Sequence, residues 1–319
     1  MNVLTLNHPA QIVPQAGEPV LEVDGLVKSY GKVVAVRGIS FLVPKGQVVG
    51  LLGPNGAGKS TTIKACLGLT RPTRGVVRVF DSTPAAAEAR RRMGYSPETP
   101  YFYPFLTAEE ILAFYAGLQG IKSVRASVDR VLRATGLEAA RRRKVGHFSK
   151  GMVQRLAVAQ SLLGDPEILF LDEPSSGLDP EGRLEMRQVI QELKQSGKTI
   201  LLSSHILSDI ETVCDRVIVI NAGRIVADRL LDGEMPALEE VEVEVRALSD
   251  EALAALRRMG WGVHYDEPRL SVANLQPGQE PKLLGVLMEH HAQVYQLKRK
   301  KATLEDIYME IMHKGGQEK

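Results

Sequence analysis

Apolar positions in this 319-residue chain come in short runs broken by turn residues, and the runs change period along the sequence. From Leu21 to Phe80 the runs are strand-like. Leu21–Val27, Val33–Val43, Gln47–Leu52 and Val76–Phe80 are predicted strands, with a helical stretch over Thr61–Leu69. A helical period follows. Thr107 with Glu110 three residues on forms a capping box, and Ile111, Phe114, Tyr115 and Leu118 repeat at the spacing of one helix face. Val124, Val128 and Leu132 continue that period up to Gly136, a predicted C-cap. The nearly continuous apolar runs Ile168–Leu171, Thr199–Ser203 and Val217–Ile220 then predict strands buried on both faces of a parallel sheet. Between the first two, Asp179 caps a helix with Pro180 at its first position, and Met186, Val189, Ile190 and Leu193 form its buried face up to Gly197. Strand, helix and strand at this spacing make a right-handed crossover.

Beyond about Leu238 the pattern changes again. Val241, Val243 and Val245 alternate with charged residues, as in a half-exposed strand. A short helix through Leu253 and Leu256, strands over Trp261–Tyr265 and Leu270–Val272, a helix through Leu283, Leu284 and Leu287, and a strand over Ala292–Leu297 complete the order β-α-β-β-α-β, the ferredoxin-like pattern. A last helix is expected from Thr303, with Leu304, Ile307, Tyr308 and Ile311 on one face. The expected organisation is therefore a flexible arm over 1–20, an α/β domain over 21–232 with an inserted helical subdomain at about 95–160, and a small α+β domain over 239–319.

Charge and composition narrow the picture. Lys+Arg 40 against Asp+Glu 38 leaves a net charge of +2, which argues against a surface built to coat nucleic acid. At 44% hydrophobic and 24% charged, the chain has the composition of an ordinary globular protein. Cys66 and Cys214 are too few for a disulfide framework or a zinc site and are expected as small buried residues in a reducing compartment. Residues 1–20 lack the basic and apolar regions of a signal peptide, and Pro9, Pro14 and Pro19 break any helix there. No apolar run approaches the roughly 18–20 residues that span a bilayer, so any membrane role is expected to pass through a partner.

Two motifs carry chemistry. Gly53-Pro54-Asn55-Gly56-Ala57-Gly58-Lys59-Ser60, followed by Thr61, fits G-x-x-x-x-G-K-[ST] between a strand and a helix. Its glycines let backbone N–H groups wrap a phosphate, the helix N-terminus adds partial positive charge, Lys59 brings a point charge to the outer phosphates, and the Ser60 hydroxyl is a Mg²⁺ ligand. The strand Ile168–Leu171 ends in Asp172 and Glu173. Asp172 is placed to serve the metal and Glu173 to polarise an attacking water on the γ-phosphate side.

With these motifs in this order, the chain resembles the nucleotide-binding subunit of an ATP-binding cassette (ABC) transporter over about residues 20–232. Further matches carry the resemblance. Tyr30 matches the aromatic that stacks on adenine, Phe148-Ser149-Lys150-Gly151-Met152 the signature sequence, Ser176-Gly177-Leu178-Asp179 the D-loop, and His205 the switch histidine. The tail, with Thr303-Leu304-Glu305-Asp306-Ile307-Tyr308, resembles more weakly the extension of exporter-like subunits. Two departures stand out. The signature usually reads Leu-Ser-Gly-Gly-Gln; here Ser149 and Gly151 remain, and Lys150 adds a charge. Glu98 stands where the family usually has a Gln that ligates Mg²⁺ and helps place the water. The resemblance implies a P-loop ATPase fold and Mg²⁺-dependent ATP hydrolysis that powers a separate transmembrane permease, with export favoured. It implies ATP contacts through Tyr30, residues 53–61, Ser149 and Gly151, and metal contacts through Ser60, Asp172 and Glu98. Glu173, His205 and Glu98 are the implied catalytic groups. It also implies a second copy in a head-to-tail dimer, no nucleic-acid partner, and a place on the cytoplasmic face of the membrane.

Tyr101-Phe102-Tyr103-Pro104-Phe105 concentrates four aromatics in five residues. Such a run serves either as core under the helical subdomain or as a groove for a short helix of a membrane partner. The basic runs Arg141–Lys144 and Lys298–Lys301 are solvated faces or contacts to anionic lipid headgroups. A soluble ABC-type ATPase on a ribosome or nucleic-acid complex is the rival reading. Such chains usually carry two cassettes, whereas this one has a single phosphate loop. Chromosome ATPases insert a long coiled coil between the phosphate loop and the acidic strand, and the Lys59–Asp172 separation leaves no room for one. Glu173 and His205 argue against a non-hydrolysing regulator.

Overall fold

The computed structural model describes residues 17–231, 237–276 and 278–301. Contacts separate the chain into two units that part at residues 232–233. The helix expected from Thr303 lies outside the described residues, as does most of the 1–20 arm; its last residues, from Pro19, already belong to a strand.

In the first unit β1 (Pro19–Tyr30) and β2 (Val33–Pro44) form an antiparallel hairpin, and β3 (Val48–Leu52) leads into helix α1 (Lys59–Cys66). β4 (Arg74–Val79) returns to pair with β1, closing a three-stranded sheet in the order β2-β1-β4. Short helix α2 (Ala87–Arg91) and strand β5 (Met93–Ser96) precede the helical insert of α3 (Ala108–Leu118), α4 (Val124–Ala134) and α5 (Lys150–Ser161). The chain then re-enters the sheet through β6 (Ile168–Leu171), crosses over α6 (Pro180–Gln195) to β7 (Thr199–Ser204), and finishes with α7 (Leu207–Val213), β8 (Arg216–Asn221) and β9 (Arg224–Leu230). The six-stranded sheet has the order β5-β6-β7-β3-β8-β9, parallel except for β9.

Every residue of β3, β6 and β7 is buried, which is why these strands read as unbroken apolar runs. α1 packs between the two sheets. Ile63, Ala65 and Cys66 share one apolar cluster with Leu21, Phe41 and Val77 of the small sheet and with Val49, Phe170 and Leu201 of the large one. Cys66 and Cys214 are buried free thiols, and burial raises their pKa, so both remain protonated.

The helical insert follows its sequence signals at the ends and departs from them on one face. Thr107 and Glu110 form the expected capping box, and Gly136 follows α4 in the left-handed region (φ 64°). The buried side of α3, however, is Ala108, Ile111, Leu112 and Ala116, while Phe114 and Leu118 are exposed. α4 and α5 pack against α3, and the path of these neighbours sets which apolar residues are covered.

In the second unit β10 (Ala237–Arg246), α8 (Asp250–Arg258), β11 (Gly262–Asp266), β12 (Arg269–Ala273), α9 (Glu280–Glu289) and β13 (Gln293–Lys301) follow the β-α-β-β-α-β order. The antiparallel sheet runs β11-β12-β10-β13, the split arrangement in which consecutive strands are not all neighbours. Val241, Val243 and Val245 point into a core with Leu256, Leu270, Leu283 and Leu287.

One buried ion pair ties the edge of the large sheet to the small one. Arg216 is fully buried at the start of β8; its Nε donates to Asp228 Oδ1 at 2.6 Å, its Nη2 to Asp228 Oδ2, and its Nη1 to the Leu42 carbonyl at 2.9 Å. Removing one partner of such a pair strands a buried charge, whereas replacing both removes the desolvation penalty as well. Asp228→Ala is therefore expected to cost about 3–5 kcal/mol in denaturant unfolding. The double variant Arg216→Met, Asp228→Leu should recover most of that loss.

Candidate functional site

The site is assembled by strand register. Leu52 of β3 lies beside Ser204 of β7, and Leu171 of β6 beside Leu202, so the segments leaving β3 and β6 emerge together at one sheet end. Gly53 starts the phosphate loop there because nothing larger fits: a Cβ on it would stand 2.2 Å from the Ile220 carbonyl oxygen. Gly58 is under a double constraint, with φ 108° and a would-be Cβ 2.6 Å from the Ala35 carbonyl oxygen. Pro54 and Ala57 close the turn through an N–H to carbonyl bond of 3.1 Å, and Asn55 and Gly56 form its exposed tip. Gly56, at φ 81°, has open space where a Cβ would stand. The loop therefore presents backbone to an incoming anion at the N-terminus of α1.

Lys59 is buried at that N-terminus. Its Nζ donates to the Gly53 carbonyl at 2.7 Å and the Pro54 carbonyl at 3.3 Å and pairs with Glu173 Oε1 at 3.0 Å. Ser60 Oγ donates to Asp172 Oδ1 at 2.9 Å. Thr61 follows in the first helical turn. Asp172 and Glu173 are both buried. The other oxygen of Glu173, Oε2, lies 2.7 Å from His205 Nδ1, and the His205 side chain remains partly open to solvent.

A further residue joins this cluster that the motifs do not point to. Ser203 of β7 is fully buried; its Oγ donates to Asp172 Oδ1 at 2.7 Å and accepts the Glu173 backbone N–H at 2.9 Å. Glu173 stands at φ 50°, a conformation that non-glycine residues enter at a cost of roughly 1–3 kcal/mol unless the surroundings hold them. The sequence signal for it is the serine pair Ser203-Ser204 that closes the apolar run Ile200–Leu202 just before the histidine.

The remaining expected residues lie around this centre. Glu98 is exposed in the loop after β5, its carbonyl accepting from Gln154 Nε2 of α5 at 3.3 Å. Its charge and that of Asp172 both reach Tyr95. Burial first, and these two carboxylates second, push the Tyr95 phenol up to about 12. Ser149 is the N-cap of α5, accepting from the Met152 N–H at 3.2 Å, and Gly151 is buried in its first turn. Lys150 reaches toward its own chain's Gly177 rather than into the cluster. Tyr30 stands at the end of β1, 49% exposed, with the Lys28 ammonium 4.8 Å over its ring. Ser149 and Tyr30 are thus exposed, and none of the hydrogen bonds described for the Lys59–Glu173 centre involves them or Gly151.

For a metal, the donor set is sparse. Among the described residues no three His, Cys, Asp or Glu side chains converge on one point. Ser60 Oγ and Asp172 Oδ1 do form an adjacent oxygen pair, which suits Mg²⁺, an ion that usually takes one or two protein oxygens and completes its shell with phosphates and water.

Comparison with known proteins agrees with this architecture. The ABC transporter family matches residues 36–176. An uncharacterized ABC transporter ATP-binding protein of Nostoc sp. is 44% identical over 205 residues, 63% of this chain and 61% of that protein. Two relatives are matched almost end to end. The fluoroquinolones export ATP-binding protein of Mycobacterium tuberculosis is 36% identical over 97% of this chain and 98% of its own. The bacitracin transport ATP-binding protein BcrA of Bacillus licheniformis is 35% identical over 93% and 98%. Among solved structures, an ATP-binding subunit of an ABC transporter superposes with TM-score 0.59 at 37% identity, over 67% of this chain and 90% of that one. A dimeric post-hydrolysis ATP-binding cassette with ADP and Pi superposes with TM-score 0.60 at 25% identity, over 67% and 99%. This chain belongs to the ATP-binding proteins of ABC transporters, which bind and hydrolyse ATP to drive transport.

Proposed function

We propose that the chain energises export through a separate transmembrane permease, as a head-to-tail dimer peripheral to the membrane, and that Glu173 is the general base of its Mg²⁺-dependent ATPase. The observation that carries the catalytic reading is the convergence of Lys59, Ser60, Asp172, Glu173 and His205 within hydrogen-bonding distance at one end of the large sheet. The near-full-length relative named for fluoroquinolone export supports the direction of transport, and the one named for bacitracin transport supports a transport role. The dimeric cassette supports self-association. Among the described residues no helix is long and apolar enough to cross a membrane, and in this reading a separate permease supplies the passage.

In this reading the N–H groups of residues 53–60 and the α1 N-terminus hold the ATP phosphates, and Lys59 neutralises the outer ones. Mg²⁺ held by Ser60 and Asp172 would spread the charge of the β- and γ-phosphates. Tyr30, exposed and flat, offers its face to adenine. Glu173 Oε takes a proton from water as the water oxygen bonds to the γ-phosphorus, and the bond to the β-phosphate oxygen breaks, releasing ADP and phosphate. His205 holds the carboxylate of Glu173 in its orientation. Ser149 and Gly151 at the N-terminus of α5 complete the site of a second copy, because N–H groups at a helix start suit a γ-phosphate. Glu98 serves as an additional metal and water ligand from the loop above Tyr95.

Three outcomes follow. Glu173→Gln keeps the shape and hydrogen bonding but removes the base, so steady-state turnover should fall by roughly 10²-fold or more while ATP still binds and dimer accumulates in gel filtration. Undiminished turnover would falsify the role. Ser203→Ala leaves the Glu173 N–H unpaired in a buried place, a cost of about 1–3 kcal/mol. It should lower kcat by an order of magnitude or more and leave the ATP dissociation constant nearly unchanged; a variant that loses ATP binding as much as turnover would make Ser203 a general structural post. For Glu98, rates measured against Mg²⁺ concentration should show Gln close to the wild type and Ala shifted to a higher half-saturating Mg²⁺. If Gln is as damaging as Ala, the charge itself is catalytic.

A further inference from the structure

Helix α5 buries a guanidinium in its middle. Arg155 is withdrawn from water, and a cation there must be held by partners. Its Nη1 donates to the Thr135 carbonyl at the end of α4, at a long 3.5 Å. Its Nη2 pairs with Glu185 Oε2 of α6 at 3.1 Å. Gly136 leaves room for the group: a Cβ there would stand 3.2 Å from Nη1. Nε is buried with no hydrogen-bond partner. Among the described residues Glu185 is therefore the carboxylate that meets this charge, and its own side chain stays partly open to solvent.

Nearer the start of both helices the backbones themselves approach. A Cβ on Gly151 of α5 would stand 3.6 Å from the Cα of Gly182 of α6, and the Gly182 N–H is held by Asp179 Oδ1 at 3.0 Å. Gly151 and Arg155 lie about one turn apart on α5, as do Gly182 and Glu185 on α6, so the glycine contact and the ion pair share one seam. The Lys150 ammonium rests on the same chain's Gly177, 2.2 Å from where a Cβ of that residue would stand.

The two contacts of the seam differ in kind. The glycines set how near α5 and α6 come, but a single backbone contact acts as a pivot and leaves the angle between the helices free. The residues after Arg155 on α5, Leu156, Ala157, Val158 and Ala159, are buried and apolar, and apolar packing has no direction of its own. A guanidinium is a planar fork with fixed donor directions, so its pair with Glu185 does restrict that angle. The angle is felt at the N-terminus of α5, where Ser149 caps the helix and the first N–H groups lack helical partners.

We propose that Glu185, acting through Arg155, sets the angle of α5 and so positions Ser149 and Gly151 for the ATP held by a second copy. Glu185 is a positioning residue, since its described contact is with Arg155 and not with any group of the Lys59–Glu173 centre. The inference rests on the head-to-tail dimer of the proposed function. In that dimer α5 of one copy serves the phosphate loop of the other, and the effect of Glu185 falls on the partner's site.

The test is phosphate release in a single turnover after Mg²⁺-ATP is added to the full chain. Glu185→Ala should slow it by roughly 10- to 10²-fold, the scale expected when a positioned group shifts by about 1 Å. The ATP dissociation constant of the monomer and the thermal transition should stay near those of the wild type. Glu185→Gln, which keeps an acceptor without the charge, should fall between the two. The decisive arm mixes Glu185→Ala with Glu173→Gln before ATP is added. In a mixed head-to-tail dimer one site combines the intact Glu173 of the first chain with the α5 of the second, still held by its Glu185. A burst at the wild-type rate, which neither variant gives alone, is expected. If Glu173→Gln dimerises on ATP and the mixture gives no such burst, Glu185 acts within its own chain's centre and the proposal is overturned. Wild-type turnover in Glu185→Ala overturns it too, as does a loss of ATP binding or of the thermal transition as large as the loss of rate, which would make the ion pair a general structural support. If Glu173→Gln stays monomeric with ATP, the head-to-tail reading itself fails and takes the proposal with it.

Discussion

The site depends on one hydroxyl. Ser203 on β7 donates to the Asp172 carboxylate and receives the Glu173 N–H, and so couples the ends of two adjacent parallel strands through a single buried oxygen. That coupling holds Glu173 in a left-handed backbone conformation that its residue type disfavours. The conformation in turn sends the Glu173 side chain between Lys59 and His205, with one carboxylate oxygen to each. Without it the two acids at the end of β6 would be an ordinary turn. With it they are two carboxylates in different surroundings, one beside the Ser60 hydroxyl and one beside a histidine.

The electrostatics of the centre explain why several weak contributions are combined. Lys59 is one permanent cation facing two buried carboxylates, so the side chains alone give an anionic substrate little net attraction. The backbone dipoles of the glycine loop and α1 add to it, and in the proposed reading a metal held by Ser60 and Asp172 would add more. The glycine loop can present its N–H groups only because it is wedged between the Ala35 and Ile220 carbonyls, and α1 can start at the right place only because it is packed between two sheets. The buried Arg216–Asp228 pair, with its third bond to Leu42, ties the large sheet to β2, the strand that also supplies Ala35.

The helical insert shows how packing redistributes residues of similar hydrophobicity. Phe102 and Phe105 are equivalent in sequence terms, yet one is core and the other is surface. On α3, Ala108 and Ala116 are buried while the larger Phe114 and Leu118 are exposed. Hydrophobic burial has no direction of its own, so size and the path of neighbouring helices decide which apolar group is covered. Lys150, the first residue of α5, turns toward the chain's own Gly177 although it stands between Ser149 and Gly151 in the motif.

Local physics wrote much of this protein into its sequence. Strands buried on both faces need unbroken apolar runs, a phosphate loop needs glycine where the backbone turns left-handed or nears a carbonyl, and helices need caps; these requirements act within a few residues and are legible there, from the Thr107–Glu110 box to Gly58 and the Asp172–Glu173 strand end. The alternation of Val241, Val243 and Val245 likewise announced a one-sided sheet. What tertiary structure alone decided are the meetings between distant segments: Ser203 with Asp172 and Glu173, Arg216 with Asp228 and Leu42, Arg155 with Thr135 and Glu185. None of these leaves a periodic trace, because each is set by strand register and backbone approach across tens of residues, and a serine or an arginine carries no mark in sequence of the partner the fold will bring to it.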